Sequence, residues 1–297
     1  MEEFTKKLQA ALDYLTNKQV SLTVEKIPYI NSVYRYVGKL KTLNSSKEDI
    51  FFMDVYHALY VEGTPVIDIT HELIKHHNDV ILSTASSRNA DEILSSFKIA
   101  TPYIGFRLVN TELNKNRLED IVHFTVTDDM TREMGIYLDN IKARDYFIPI
   151  TNKAFDSWGI TMEELFNLAE INMLNRFPVT YVINKSHCCF SRRADVLYKA
   201  LMNAFDDCDI IHVTNTRKHF GATGLLYPGL MEHILLQLKR NIKSLHVLPV
   251  SLHDGLIIVD SGNIVPKVLD DFIVTAVESL IPKGHVLSKN AFHYSVT

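Results

Sequence analysis

Ser244-Leu245-His246-Val247-Leu248-Pro249-Val250-Ser251-Leu252-His253-Asp254-Gly255-Leu256-Ile257-Ile258-Val259 is the stretch whose reading decides the fold. Ser244–Leu248 and Gly255–Val259 read as two short strands, and the apolar run Leu256–Val259 suits a buried one. Helix starts stand on both sides. Pro228 and Pro266 each fit a first helical turn, where the missing N–H costs nothing. Further out, Val179–Asn184 and Ile210–Thr214 read as strands on either side of a helix over Arg192–Phe205. Thr161 with Glu164 has capping-box spacing and opens a helix to about Asn175.

The first half repeats the alternation. Phe4, Leu8, Ala11, Leu12 and Leu15 recur at helical spacing over residues 3–16. Ser21–Ile27 and Ser32–Leu40 alternate like a hairpin pair of strands. Thr64-Pro65 starts a helix that runs to about His77, and Asn89 with Glu92 starts another. Tyr103–Val109 and Ile121–Thr127 alternate like strands, and Ile148-Pro149-Ile150 closes the half. The reading is an α+β fold of short, mostly antiparallel strands interleaved with helices. Two lobes are expected, residues 1–150 and 151–297.

Composition narrows the function. The 297 residues carry 31 Lys and Arg against 35 Asp and Glu, a net charge of −4. A nucleic-acid binder needs a basic face to displace counterions from phosphate, so nucleic acid is not an expected partner. Three cysteines, Cys188, Cys189 and Cys208, make no disulfide framework and fit a reducing cytoplasm. The first residues lack an apolar signal core, and no apolar run approaches the ~20 residues of a membrane helix. The expectation is a cytoplasmic protein without a membrane partner.

Several chemistries are excluded by spacing. No two of the 11 glycines are separated by a single residue, so the dinucleotide fingerprint is missing. Gly224 and Gly229 have the gap of a phosphate loop, but Leu230-Met231 follow where Lys and Ser or Thr are required. His71-Glu72-Leu73-Ile74-Lys75-His76-His77 is a near miss for a zinc-protease helix. Lys75 occupies the second ligand position, and His71 and His76 would lie about 140° apart around a helix. A solvated helix end accounts for the histidines. In His187-Cys188-Cys189, adjacent strand side chains point oppositely and cannot share a metal. Asp254 and Asp260 would be about 20 Å apart if extended, too far for paired acid–base work. No metal or cofactor is expected.

Two segments can carry chemistry. In Leu248–Asp254, Ser251 and His253 share one face of an extended chain, with Asp254 on the other. A serine nucleophile needs a base in hydrogen-bond reach and a carboxylate to orient that base. The plain alternative is a strand–turn element whose polar side chains satisfy nearby backbone groups. The second segment, Thr214–Ala222, is a polar loop with Asn215, Arg217, Lys218 and His219. It can bind an anion or a partner, or simply connect two elements.

Four blocks of the sequence resemble a known family. They are Asp156-Ser157-Trp158-Gly159-Ile160-Thr161-Met162-Glu163-Glu164-Leu165; Thr214-Asn215 through Phe220-Gly221-Ala222 to Leu226-Tyr227; Leu248–Asp254; and Val286-Leu287-Ser288 with Tyr294. In this order they are similar to uncharacterised bacterial proteins catalogued as domain of unknown function 5688, over residues ~50–297. The resemblance implies an α+β fold and brings no activity. Val250 stands where the family pattern has a serine, and Asp254 where it has glutamate. Independently of the family, Trp158, Gly159 and the Thr161 cap read as a packed corner between two helices.

These readings leave three expectations. The first is a non-catalytic protein-interaction module, an adaptor or inhibitor with a protein partner or self-association, with aromatic anchors available. The second is a hydrolase using Ser251 and His253. The third is an anion or nucleotide binder through Arg217, Lys218 and His219.

Overall fold

A computed structural model of the chain describes residues 1–43, 45, 48–82, 90–138, 146–183, 192–205, 208–238 and 242–296. The chain divides into two compact units, residues 1–88 and 89–297. The division therefore falls at residue 88 and not near 150. Residue 150 lies inside the second unit because Ile150 N–H donates to Met134 O at 3.0 Å and Ile150 O accepts from Val122 N–H at 2.9 Å.

The first unit opens with α1 (Glu2–Thr16), which buries Phe4, Leu8 and Leu12 along one face. Strands β1 (Val20–Pro28), β2 (Tyr34–Thr42) and β3 (Glu48–Phe52) follow, then helices α2 (Met53–Val61) and α3 (Val66–Leu82). The strands form an antiparallel sheet in the order β1-β2-β3. The sheet buries Val20, Leu40 and Phe51 against Phe4, Leu8 and Leu12 of α1 and Ile69 and Leu73 of α3.

Helix α3 departs from the expectation of a solvated end at His77. It continues to Leu82, and both histidines face the sheet. His76 Nδ1 lies 2.7 Å from Asp49 Oδ2, and His77 Nε2 lies 2.7 Å from Thr42 Oγ1. These partners lie far away in sequence, so no local pattern announces them. Asn89, read as a helix cap, lies outside the described residues.

The second unit contains α4 (Ala90–Leu94), α5 (Phe97–Ala100), β4 (Ile104–Asn110), α6 (Thr111–Leu118), β5 (His123–Thr127), β6 (Met130–Leu138) and β7 (Tyr146–Pro149). It continues with α7 (Asn152–Trp158), α8 (Met162–Arg176), β8 (Val179–Ile183), α9 (Arg192–Ala204), β9 (Asp209–Asn215) and α10 (Leu230–Leu238). It ends with β10 (Ser244–Leu248), β11 (Gly255–Asp260), α11 (Pro266–Leu280) and β12 (Phe292–Ser295). Pro266 begins α11, whereas Pro228 lies in the turn before α10. The α7–α8 corner is closed as its sequence implies. Gly159 takes a left-handed φ of 64°, Thr161 and Glu164 form the capping box, and Trp158 Nε1–H donates to Leu94 O at 2.9 Å.

Two sheets organise this unit. In the smaller, β6 pairs with β4 on one side and with β5 and β7 in succession on the other. The larger has the order β12-β10-β11-β9-β8, with every neighbouring pair antiparallel. Alternate residues of its inner strands feed two cores. Ile210, Leu248, Leu256 and Ile258 pack on α9 and α11. Ile211, Val213, Leu245, Val247, Ile257 and Val259 pack on α10. Cover on both faces explains why Leu256–Val259 is apolar without alternation. The α+β expectation thus holds. Among the described residues, no helix is long and apolar enough to cross a membrane.

His77 yields a pH test. Its ring is buried, and burial lowers its pKa against the partial compensation of Asp49. A base with a depressed folded pKa binds protons more readily when unfolded, so its folded environment is favoured at high pH and opposed by acid. Amide protection in β2 and α3 should be constant above the ordinary histidine value of about 6.5 and decline below it. His77→Gln should flatten that decline. Hydrogen exchange across pH 8 to 5 gives the comparison.

Candidate functional site

The two segments marked by sequence meet in space. Strand β9 ends at Thr214-Asn215, and the buried Asn215 side chain shapes the loop beyond it. Its Oδ1 accepts from the backbone N–H of Arg217 (3.0 Å) and of His219 (3.3 Å), and its Nδ2 donates to His219 O (2.8 Å). This is the local side-chain-to-backbone pattern that competes with regular structure. Lys218 and Phe220 both take left-handed φ values, 54° and 51°. The 3-10 turn Gly221–Leu226 follows.

The β10–β11 connection lies against this loop. Thr214 Oγ1 donates to His253 O at 2.9 Å, and the Phe220 N–H donates to His253 Nδ1 at 3.2 Å. Gly221 makes the approach possible, because a Cβ there would collide with Thr214 Oγ1 and His253 O. A third segment joins from the C-terminal side. Leu252 N–H donates to His285 O at 2.9 Å, and Leu287 N–H to Val250 O at 3.2 Å. Three half-buried imidazoles thereby gather. The His219 and His253 rings stack at 5.5 Å and 17°, and His253 and His285 lie 5.0 Å apart.

The geometry assigns the His253 tautomer. Its Nδ1 receives an N–H, so in the neutral ring Nε2 carries the proton. That ring is a donor at Nε2 with no lone pair left to take a proton from a serine. Ser251 is turned inward as well. Its Oγ accepts the His253 backbone N–H at 3.2 Å, and Ser251 itself forms an antiparallel bridge with Val286. Asp254 Oδ1 stands 3.0 Å from His212 Nε2, both side chains being buried. The polar side chains of Leu248–Asp254 thus hold the corner together. Arg217 and Lys218 are exposed at its rim.

Behind the imidazoles lies a buried charge cluster that the sequence does not announce. Phe220 lies 5.6 Å from the His253 ring, and the Arg107 guanidinium lies 5.2 Å from the Phe220 ring and 4.3 Å from that of Phe147. Arg107 Nε also bonds Glu133 Oε2 at 2.9 Å, while Arg117 grips both carboxylate oxygens. Burial by itself raises the Glu133 pKa, but the two guanidiniums overcome it and hold the carboxyl below its ordinary value. Two guanidiniums thus share the Glu133 carboxylate below the corner.

His285, Arg107 and Glu133 were missed by sequence reasoning, since each is an isolated residue in its own segment. His187, Cys188 and Cys189 lie outside the described residues. Cys208 is buried, with Sγ 3.3 Å from Phe205 O. Among the described residues, no group of three or more His, Cys, Asp or Glu side chains converges as a metal site.

The model of a family of unknown function (DUF5688) matches residues 1–296. The chain belongs to that family. No curated protein and no solved structure matches the chain. In this DUF5688 protein, the family-like blocks Thr214–Tyr227, Leu248–Asp254 and Val286–Ser288 are the very segments that build the histidine corner.

Glu133 can be tested directly. Glu133→Gln removes the buried carboxylate that both guanidiniums bond. The loss should be about 3–5 kcal/mol, the cost of removing one partner of a buried ion pair. Urea denaturation with a two-state fit measures it.

Proposed function

We propose that this protein binds a small anion, a phosphate or carboxylate group, at the corner formed by His219, His253 and His285. One observation carries the reading. The Phe220 amide occupies His253 Nδ1, which makes the ring an Nε2–H donor stacked on His219 and tilted against His285. Cationic groups support it on two sides, with Arg217 and Lys218 at the rim and the Arg107–Glu133–Arg117 cluster behind Phe220. Hydrogen bonds to an ionised acceptor are stronger than neutral ones, and partial burial reduces their competition with water. The same tautomer argues against the Ser251–His253 hydrolase, because the base of that chemistry must accept at the nitrogen that here donates.

Calorimetric titration with inorganic phosphate and pyrophosphate at pH 7 tests this reading. Millimolar or tighter binding is expected. His253→Ala should weaken it at least tenfold, and the Arg217→Ser/Lys218→Ser double variant should weaken it several-fold while retaining the native circular dichroism spectrum. No heat at millimolar ligand, or wild-type affinity in both variants, would refute it.

A second reading, self-association as an interaction module, is favoured by the first unit. Strand β1 is nine residues long and forms the outer edge of its sheet. Thr16 and Gln9 take the N–H groups of Val20 and Leu22 at its start, and the rest of such an edge offers groups that can pair with a second copy. Native mass measurement at ~50 µM, about the range in which weak association is read, should then show a dimer. A monomer alone would end this reading.

A further inference from the structure

A second histidine pair lies in the larger sheet, away from the residues used above. His246 on β10 and His293 on β12 are register partners, with their Nδ1 atoms 2.7 Å apart. At that distance one ring must donate and the other accept, so the contact holds one proton. The flanking groups decide which. His293 Nε2 lies 3.2 Å from Asp270 Oδ1 on α11, so His293 donates there and accepts at Nδ1. His246 therefore donates Nδ1–H to His293.

The other side of His246 is also fixed. Its Nε2 faces Ser244 Oγ at 3.4 Å and Asp260 Oδ2, on β11, at 3.6 Å. Asp260 stays ionised. Burial opposes this, but the N–H groups of Gly262, Asn263 and Ile264 and the Ser244 hydroxyl all donate to it and bring its pKa below the ordinary value. The acidic groups facing the pair are thus Asp260 from β11 and Asp270 from α11. Each histidine is also the other's only close titratable base among the described contacts.

We propose that the His246–His293 pair is a proton-operated latch that releases the C-terminal strand β12 from β10 in acid. A first added proton goes to His246 Nε2, where Ser244 and Asp260 receive it. A second has only His293 Nδ1 to occupy, and it puts N–H against N–H across 2.7 Å. The two rings then carry like charge and have no hydrogen bond. Besides this contact the strand is held by its four-residue ladder to β10, by the Val296 N–H bond to Lys243 O and by Phe292 and Val296 against the core. Among the described residues β12 pairs with β10 alone, and it exposes His293, Tyr294 and Ser295. Burial of His246 and the neighbouring His293 both oppose its protonation. The latch is therefore closed at neutral pH and opens as pH falls, leaving the β10 edge open to a new strand.

Hydrogen exchange of the full chain from pH 7.5 to 4.5, corrected for intrinsic rates, tests the latch. Peptides covering 292–296 should lose at least tenfold in protection on acidification and regain it on return, while α11 peptides stay protected. His293→Gln keeps an acceptor and donor without titrating, and its protection should not vary with pH. Nitrogen NMR of the wild-type imidazoles gives a reading that needs no variant: the shared proton between His246 and His293 should disappear over the same pH interval. Constant wild-type protection would overturn the proposal. So would parallel loss in α11, acid release in His293→Gln, or release while the rings still share their proton.

Discussion

The histidine corner depends on one buried amide. Asn215 is 1% exposed at the end of β9, so its oxygen and nitrogen must be satisfied within the protein. Among the described residues it satisfies them with the nearby Arg217 and His219. Closing the chain on itself this way carries Lys218 and Phe220 into left-handed backbone, which non-glycine residues rarely adopt. The outcome is a Phe220 N–H aimed at His253 Nδ1. Backbone strain at two residues is thus exchanged for control over one imidazole tautomer.

The Arg107–Glu133–Arg117 cluster raises a different question of cost. A buried ion pair loses hydration that its Coulomb attraction regains only with good geometry and full hydrogen bonding. Glu133 meets that condition through two guanidiniums, and Asn114 Oδ1 accepts from Arg117 besides. Arg107 also lies over the Phe147 and Phe220 rings. A ring face attracts a cation through its quadrupole and needs no desolvated anion. Through Phe220 the cluster adjoins the His253 ring.

What the sequence made legible follows the range of each interaction. The capping box of Thr161 and Glu164, the buried stripe of Phe4, Leu8 and Leu12, and the β1–β2 hairpin depend on residues close in sequence, and they were read correctly. The end of α3 was not, because His76 and His77 are held by Asp49 and Thr42 across the sheet. The expected break at residue 150 failed for a related reason: Ile150 is stitched to Val122 and Met134, so a local Pro marks a strand end and not a boundary. Both candidate segments of the corner could be picked out, since polar clusters beside strands are visible locally. Their meeting could not, because it depends on the β9–β11 pairing that brings Val213 opposite Gly255.

The two histidine groups place the same side chain in opposite settings. In the corner, a backbone N–H occupies His253 Nδ1. A backbone amide can only donate, so this bond fixes Nδ1 as the accepting nitrogen. In the sheet, His246 meets another imidazole, whose role as donor or acceptor changes with one proton. Placement strengthens the contrast. His253 is tied to β9 and the following 3-10 turn by neighbours within a packed unit, whereas His293 lies on a short edge strand with one partner. A fixed donor suits ligand recognition, which benefits from a ring already oriented before binding. A shared proton suits a switch, because a further proton removes an attraction and creates a repulsion at the same contact.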